Sequence, residues 1–298
     1  MKKAMVIVLA MAMLMSVMLV GCGGKGESKA VEPPQWVVDF LGHEPTGKLA
    51  EIYEKGELHY VVSPDFAPSE FIVPGKTGDE QYAGSDIELA KHIAEKMGVK
   101  LKIEALDFDS CLTYMSEGLA DIAITGLAAT EKRREAMDFT DPYNLDTVSY
   151  QGLMIANKDK DIYTSYEAFK GKTVAVQNGS LQQQLAEKYL VPAGANIYPV
   201  TKTADAILML DAGTVDACVM SSDNGDNYAM TYKNLGMIPK DVLYLPDTSN
   251  TSAAIPFGEN EDYLLVLNKI INDQIAEGLY VQWQTEAEAL CKELAIEF

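Results

Sequence analysis

The sequence predicts an α/β protein built as two matched lobes, and three observations carry that expectation. Strand-like and helix-like segments alternate from Leu58 to Ile124 and again from Thr173 to Tyr244. The stretch Met115-Ser-Glu-Gly118-Leu-Ala-Asp121-Ile-Ala-Ile124 is echoed by Leu210-Asp-Ala-Gly213-Thr-Val-Asp216-Ala-Cys-Val219, each a helix end, a glycine stop and a strand start. Two more strand-like pieces, Tyr150 to Ile155 and Ala253 to Phe257, lie where the chain would cross between the lobes. Two crossings make a hinge, and clefts at domain interfaces are where small ligands usually bind.

In the first set, strand Leu58 to Val62 precedes helix Ile87 to Met97, strand Leu101 to Ile103, helix Ser110 to Glu117 and strand Ile122 to Ile124. Helix Ile87 to Met97 is the best marked. Ile87, Ala90, Ile93, Ala94 and Met97 share one face, Ser85 and Glu88 have capping-box spacing, and Gly98 ends it. The second set runs through strand Thr173 to Val176, helix Leu181 to Tyr189, strand Ile197 to Val200, helix Ala204 to Leu210, strand Ala217 to Met220 and a further helix. Helices from Asp262 to Ile275 and from Tyr280 onward complete the chain.

Met1-Lys2-Lys3 leads into an apolar stretch that closes on Leu19-Val20-Gly21-Cys22. That stretch falls short of the roughly 20 residues a spanning helix needs and resembles a bacterial lipoprotein signal with its lipobox. The expectation is cleavage before Cys22, lipidation of Cys22 with palmitate as an acyl group, and a Gly/Ser-rich tether beyond it. The expected organisation is signal peptide 1–21, tether and N-terminal extension 22–50, first lobe 51–145 plus 250–298, and second lobe 146–249. Short helical pieces are expected at Trp36 to Leu41 and Leu49 to Tyr53.

The 298 residues carry a net charge of −20, which argues against nucleic acid as a partner. Cys111, Cys218 and Cys291 show no metal-binding or redox spacing and read as small core residues, with one disulfide and a spare thiol as the alternative. His43, His59 and His92 stand apart in sequence, which argues against a His-based nucleophile triad. No metal or cofactor is expected.

The segment from Asp121 to Tyr143 concentrates the chemistry. A buried-looking strand breaks at Thr125-Gly126, and Thr130 is placed to cap a new helix whose first turns hold Lys132, Arg133 and Arg134. Cations there add to a field that free N–H groups already make positive, an arrangement that suits an anion such as a carboxylate. The alternative is that Glu131, Glu135 and Asp138 neutralise the turn as surface pairs.

From Lys55 to Trp283 the chain resembles bacterial extracellular solute-binding proteins of family 3, the amino-acid-binding components of ABC importers. The resemblance rests on Lys55-Gly-Glu-Leu58, Ser63-Pro-Asp-Phe66-Ala-Pro68, Gly84-Ser-Asp86-Ile-Glu88, Asp107-Phe-Asp109, Asp121 through Arg133 to Tyr143, Gly171 through Gly179-Ser180, Gly213-Thr-Val-Asp216 and Gly278-Leu-Tyr-Val-Gln-Trp283. It implies the two-lobed periplasmic-binding-protein-like type II fold with two hinge crossings. It further implies that Arg133 and the N–H of Ala128 hold the ligand's α-carboxylate, joined from the other lobe by N–H groups at Ser180 and Leu181. Phe66 and Phe108 match the aromatic walls around the ligand side chain. The carbonyl of Gly126 and the hydroxyl of Thr125 are expected at the α-ammonium.

Departures concern both charged ends of the ligand. Ala128 stands where the family often has a hydroxyl, and Ser221 stands where it usually places an aspartate for the ammonium. Asp223 is the nearest acid. Ser69 and Ser85 also replace common aromatics. The resemblance implies a lipid-anchored extracytoplasmic receptor, periplasmic or on the outer cell surface, working as a monomer. It would bind an amino acid, close by hinge motion and present it to a membrane permease. The rivals are an enzyme on the same fold, of the cyclohexadienyl dehydratase kind, and a receptor for another carboxylate.

Overall fold

The computed structural model describes residues 29–144, 149–247 and 249–294. The signal peptide, Cys22 and the junction at 145–146 lie outside the described residues. Two five-stranded sheets form, one for each lobe.

In the first lobe the strands are β1 (Glu57–Val62), β5 (Lys100–Ala105), β6 (Ile122–Ala123), β7 (Met137–Pro142) and β13 (Ser252–Pro256), in the order β5-β1-β6-β13-β7. Strands β1, β5 and β6 run parallel, and β13 returns antiparallel between β6 and β7. The second lobe is built from β8 (Gln151–Ala156), β9 (Thr173–Gln177), β10 (Asn196–Val200), β11 (Ala217–Ser221) and β12 (Leu235–Met237), in the order β10-β9-β11-β8-β12. Its parallel trio β10, β9, β11 and antiparallel β8 reproduce the first lobe's pattern. A small sheet of β2 (Asp65–Phe66), β3 (Glu70–Ile72) and β4 (Tyr82–Ala83) sits at the cleft edge of the first lobe.

Helix Ser85–Met97 buries Ile87, Leu89, Ala90, Ile93, Ala94 and Met97 against the first sheet, as its apolar spacing requires. Its capping box does not form. Gly84 takes the N-cap position with φ 126°, which places Ser85 inside the helix. The Ser85 hydroxyl donates to the Tyr280 hydroxyl at 3.1 Å, while Glu88 pairs with Lys91. Helix Phe108–Ser116 starts two residues earlier than the spacing predicts, because Asp107 caps it through Ser110 N–H at 3.0 Å.

The N-terminal pieces belong to this lobe. Helices Gln35–Leu41 and Gly47–Lys55 place Val37, Leu49 and Ile52 in its core, each fully buried and each contributing about 1.5–3 kcal/mol. Lys48 reaches buried Asp121 at 2.6 Å, so the second of these helices also supplies a countercharge. Cys111, Cys218 and Cys291 are free thiols buried in the cores.

Candidate functional site

Both sheets direct strand ends at a cavity of about 100 Å³ between the lobes. Beside it the lobes are joined by hydrogen bonds from Arg133 to the Gly179 carbonyl and from Asn224 to the Ala67 carbonyl. Phe66, Phe108, Thr125, Gly126, Ala128 and Arg133 line the cavity from the first lobe, and Leu181, Ser221 and Asp223 from the second. Ser180 does not reach this cavity. It faces a neighbouring groove, its hydroxyl accepts Gln183 N–H at 3.0 Å, and its own N–H is engaged with the Gln177 carbonyl.

Arg133 is the centre of the site. Thr130 caps its turn by accepting Arg133 N–H at 3.3 Å, but the helix is a single turn, Glu131–Arg134. Its dipole is correspondingly slight, so the positive field comes from the side chain rather than from the helix. Arg133 is only 5% exposed, and its guanidinium carbon lies 5.4 Å from the centroid of the Phe108 ring. One terminal nitrogen donates to the Ala128 carbonyl at 2.8 Å and the other to the Gly179 carbonyl, across the cleft, at 3.0 Å. Nε has no partner, and among the described residues no carboxylate pairs with this arginine. Burial lowers its pKa to about 10. A cation held this way is stabilised by any anion that enters.

Gly126 owes its position to a buried acid cluster. Its N–H donates to Asp86 Oδ2 at 2.8 Å, and the same carboxylate accepts the hydroxyls of Tyr143 at 2.8 Å and Tyr280 at 2.6 Å. Glu70 lies against Asp86 and accepts the Thr125 hydroxyl at 2.9 Å. Burial and the neighbouring Asp86 charge raise Glu70 well above the usual carboxylate range. The Thr125 hydroxyl proton is therefore already committed.

The second lobe offers acceptors instead. Ser221 Oγ and Asp223 Oδ1 are buried without partners among the described residues. Among the described residues, Asp65, Glu70, Asp223 and Asp247 stand around the cavity with Arg133 as the cation. Sequence reasoning missed Asp65 and Glu70 as cleft residues. A glutamate beside Phe71 in a short apolar strand was the available signal for Glu70. No group of three or more His, Cys, Asp or Glu among the described residues is placed to hold a metal ion.

The sequence profile of bacterial extracellular solute-binding proteins, family 3, matches residues 58–286. The arginine-binding extracellular protein ArtP of Bacillus subtilis is 26% identical over 226 residues, covering 75% of this chain and 83% of that protein. A probable histidine-binding protein of Campylobacter jejuni is 25% identical, covering 73% and 79%. Among solved structures, an amino acid ABC transporter substrate-binding protein from Streptococcus pneumoniae bound to L-arginine superposes with a TM-score of 0.72 at 30% identity, covering 82% of this chain and 98% of that one. An ancestral arginine-binding protein bound to glutamine gives 0.67 at 28%, covering 78% and 97%. With two lobes, an interlobe cavity and a matching profile over most of its length, the chain belongs to the bacterial extracellular solute-binding proteins, family 3.

Proposed function

We propose that this chain is a lipid-anchored extracytoplasmic receptor, held through Cys22, that captures an amino acid with a cationic side chain and delivers it to an ABC permease. The observation that carries this reading is Arg133, a buried guanidinium in the cleft whose Nε and charge have no partner among the described residues. A ligand carboxylate would receive charge-assisted bonds from it, each contributing about 1.5–3 kcal/mol. Asp223 and Ser221, with unpartnered oxygens on the opposite wall, are assigned to the ligand ammonium in place of the family's aspartate. With Glu70 raised well above the usual carboxylate range, Asp65, Asp223 and Asp247 are the cavity acids that stand against Arg133, and their excess favours a ligand whose positive groups outnumber its negative ones. The arginine- and histidine-binding names of relatives agree with that charge balance.

Thermal stabilisation against the common amino acids tests the proposal. L-arginine, L-ornithine or L-histidine at about 100 times Kd should stabilise the chain by about 2.7 kcal/mol. The response should vanish in Arg133→Ala. A shift with glutamine and none with any cationic amino acid would overturn the charge argument and leave the receptor.

The enzyme reading gains one feature, since Asp65 and Glu70 are cleft carboxyls raised by burial. Both are tied to protein groups rather than aimed at a substrate. Asp65 accepts Ser63, Gln177 and Thr203, and Glu70 accepts the Thr125 hydroxyl. Loss of water from prephenate or arogenate on incubation with the protein would restore that reading.

A further inference from the structure

The second crossing between the lobes is fastened almost up to the point where it turns. Among the described residues, three tyrosine hydroxyls of the second lobe donate to carbonyls of the returning chain, Tyr150 to Ile238 at 2.8 Å, Tyr166 to Tyr244 at 2.7 Å and Tyr189 to Pro246 at 3.2 Å. Leu243 and Leu245 are buried in the same lobe's core, and Leu245 N–H donates to the Gln151 carbonyl at 2.8 Å. By Asn250 the chain already belongs to the first lobe. The Asn250 carbonyl accepts Ala129 N–H at 3.0 Å, and the Thr251 carbonyl accepts Tyr143 N–H at 3.2 Å. The turn of this crossing therefore falls between Pro246 and Asn250, a short stretch of the kind that absorbs hinge motion.

Asp247 stands in that turn and lines the cavity. Its Oδ1 accepts Ser249 N–H at 3.1 Å, which seats the carboxylate on the turn and leaves its charge without a cation from that bond. This wall of the cavity is polar. Gln151, Gln182, Ser249 and Thr251 line it as well, and Gln182 Nε2 donates to Gln151 Oε1 at 3.0 Å. A cationic amino acid brings two positive groups and one negative. Arg133 answers the carboxylate, and Asp223 with Ser221 answers the α-ammonium, which leaves the side-chain cation to be placed. Asp65 already accepts three donors, and Glu70 accepts the Thr125 hydroxyl and is raised by burial, so both are engaged by the protein. Among the described residues, Asp247 is the cavity acid that remains.

We propose that Asp247 is the specificity-determining residue for the ligand's side-chain cation, held at the turn of the crossing by the tyrosine clasp that ends at Pro246. This deepens the receptor reading and rests on it. A side-chain ammonium or guanidinium meeting this carboxylate makes a charge-assisted hydrogen bond, whereas a neutral side chain of the same shape makes a weaker one. Because the acid sits where the chain changes lobe, a cationic solute is read at the hinge itself. Tyr189 is then a positioning residue, acting through its hold on the Pro246 carbonyl.

The test compares L-arginine with L-citrulline, its neutral isostere, by titration calorimetry. Wild type should bind arginine more tightly. Asp247→Asn keeps an acceptor for Ser249 N–H, and it should weaken arginine about tenfold or more while leaving citrulline within about twofold. Tyr189→Phe should lower the arginine-to-citrulline ratio in the same direction by a smaller factor, a change that lost lobe stability alone would not produce. Asp241→Asn removes an exposed acid of the same segment that does not line the cavity, and it should keep the wild-type ratio. A ratio unchanged in Asp247→Asn would overturn the proposal, while arginine binding in the same experiment would uphold the receptor reading. An equal fall in Asp241→Asn would also overturn it, replacing the contact by the general field of the acidic surface. A wild type that binds neither compound, or citrulline as well as arginine, would remove the cationic-ligand reading and this assignment with it.

Discussion

Both lobes meet the cleft with the same device, a strand that ends near a glycine of positive φ and passes into a capped helix, yet the two turns do different work. In the first lobe the device is Thr125-Gly126 leading to Thr130, with Gly126 at φ 59°. In the second it is Asn178-Gly179-Ser180, with Gly179 at φ 72°. The first turn is polarised. A carboxylate holds its glycine N–H, and a buried guanidinium follows a few residues later. The second is neutral. Gly179 N–H donates to the Gln183 side-chain amide at 2.8 Å, and the helix behind it is a full nine residues capped by Ser180. The first lobe supplies charge and the second supplies a close-fitting surface.

Removing the charge should break the comparison most severely. Arg133→Ala is expected to weaken solute binding more than a hundredfold in titration calorimetry, from loss of two or more charge-assisted bonds. The ligand-free protein should melt no lower than wild type, because the deleted cation is buried with no countercharge among the described residues.

Removing the fit comes next. A Cβ on Gly179 would sit 2.8 Å from Asp109 Oδ1 and 3.2 Å from Leu112 Cδ1, both on the first lobe. Gly179→Ala should therefore hold the cleft ajar and raise Kd about tenfold, on top of about 1 kcal/mol of backbone strain. Adding Leu112→Ala should recover part of the affinity and none of the strain. Unrecovered affinity would leave the effect with Asp109, the nearer contact, or with backbone strain in the second lobe.

The polarised turn should also carry a pH signature that the neutral one lacks. Glu70 is raised in the folded state, so the fold holds its proton more tightly than the unfolded chain does. Its stabilising contribution is complete below the ordinary glutamate range and is lost as pH rises through the raised folded value. Glu70→Gln should flatten that slope with little change in stability at acidic pH. A slope that persists in the variant would assign it to Asp86 or Asp65, which are raised as well.

The smallest expected effect compares the two caps. Ser180→Ala should cost about 1 kcal/mol in denaturant unfolding, the usual value of a serine N-cap. Thr130→Ala should cost less, since its helix is one turn long and its cap distance is 3.3 Å against 3.0 Å.

The elements were legible where local rules decide them. Helix Leu181–Tyr189 matches its expected bounds, and β1, β9 and β11 match theirs within a residue or so, because apolar alternation and the Ser180 cap are short-range signals. The Ser85–Glu88 box failed because Gly84 takes the N-cap position and Ser85 falls inside the helix, which leaves its hydroxyl to donate to Tyr280, 195 residues away. The helix dipole at Arg133 failed for a local one, since residues after Glu135 turn directly into β7.

The sequence by itself determined the two matched α/β lobes, the cleft between them and a cationic turn facing it, because periodicity, capping and glycine stops act over a few residues. It also placed Ser221 where an acid is usual, and Asp223 beside it. Only the tertiary structure decided that Arg133 is buried with no carboxylate partner among the described residues, that Glu70 is raised by burial beside Asp86 beneath Gly126, and that Asp65 accepts hydrogen bonds from Gln177 and Thr203 of the other lobe. Each of those depends on burial and on partners brought together from distant parts of the chain, and the sign of an electrostatic effect is fixed by such surroundings rather than by residue type.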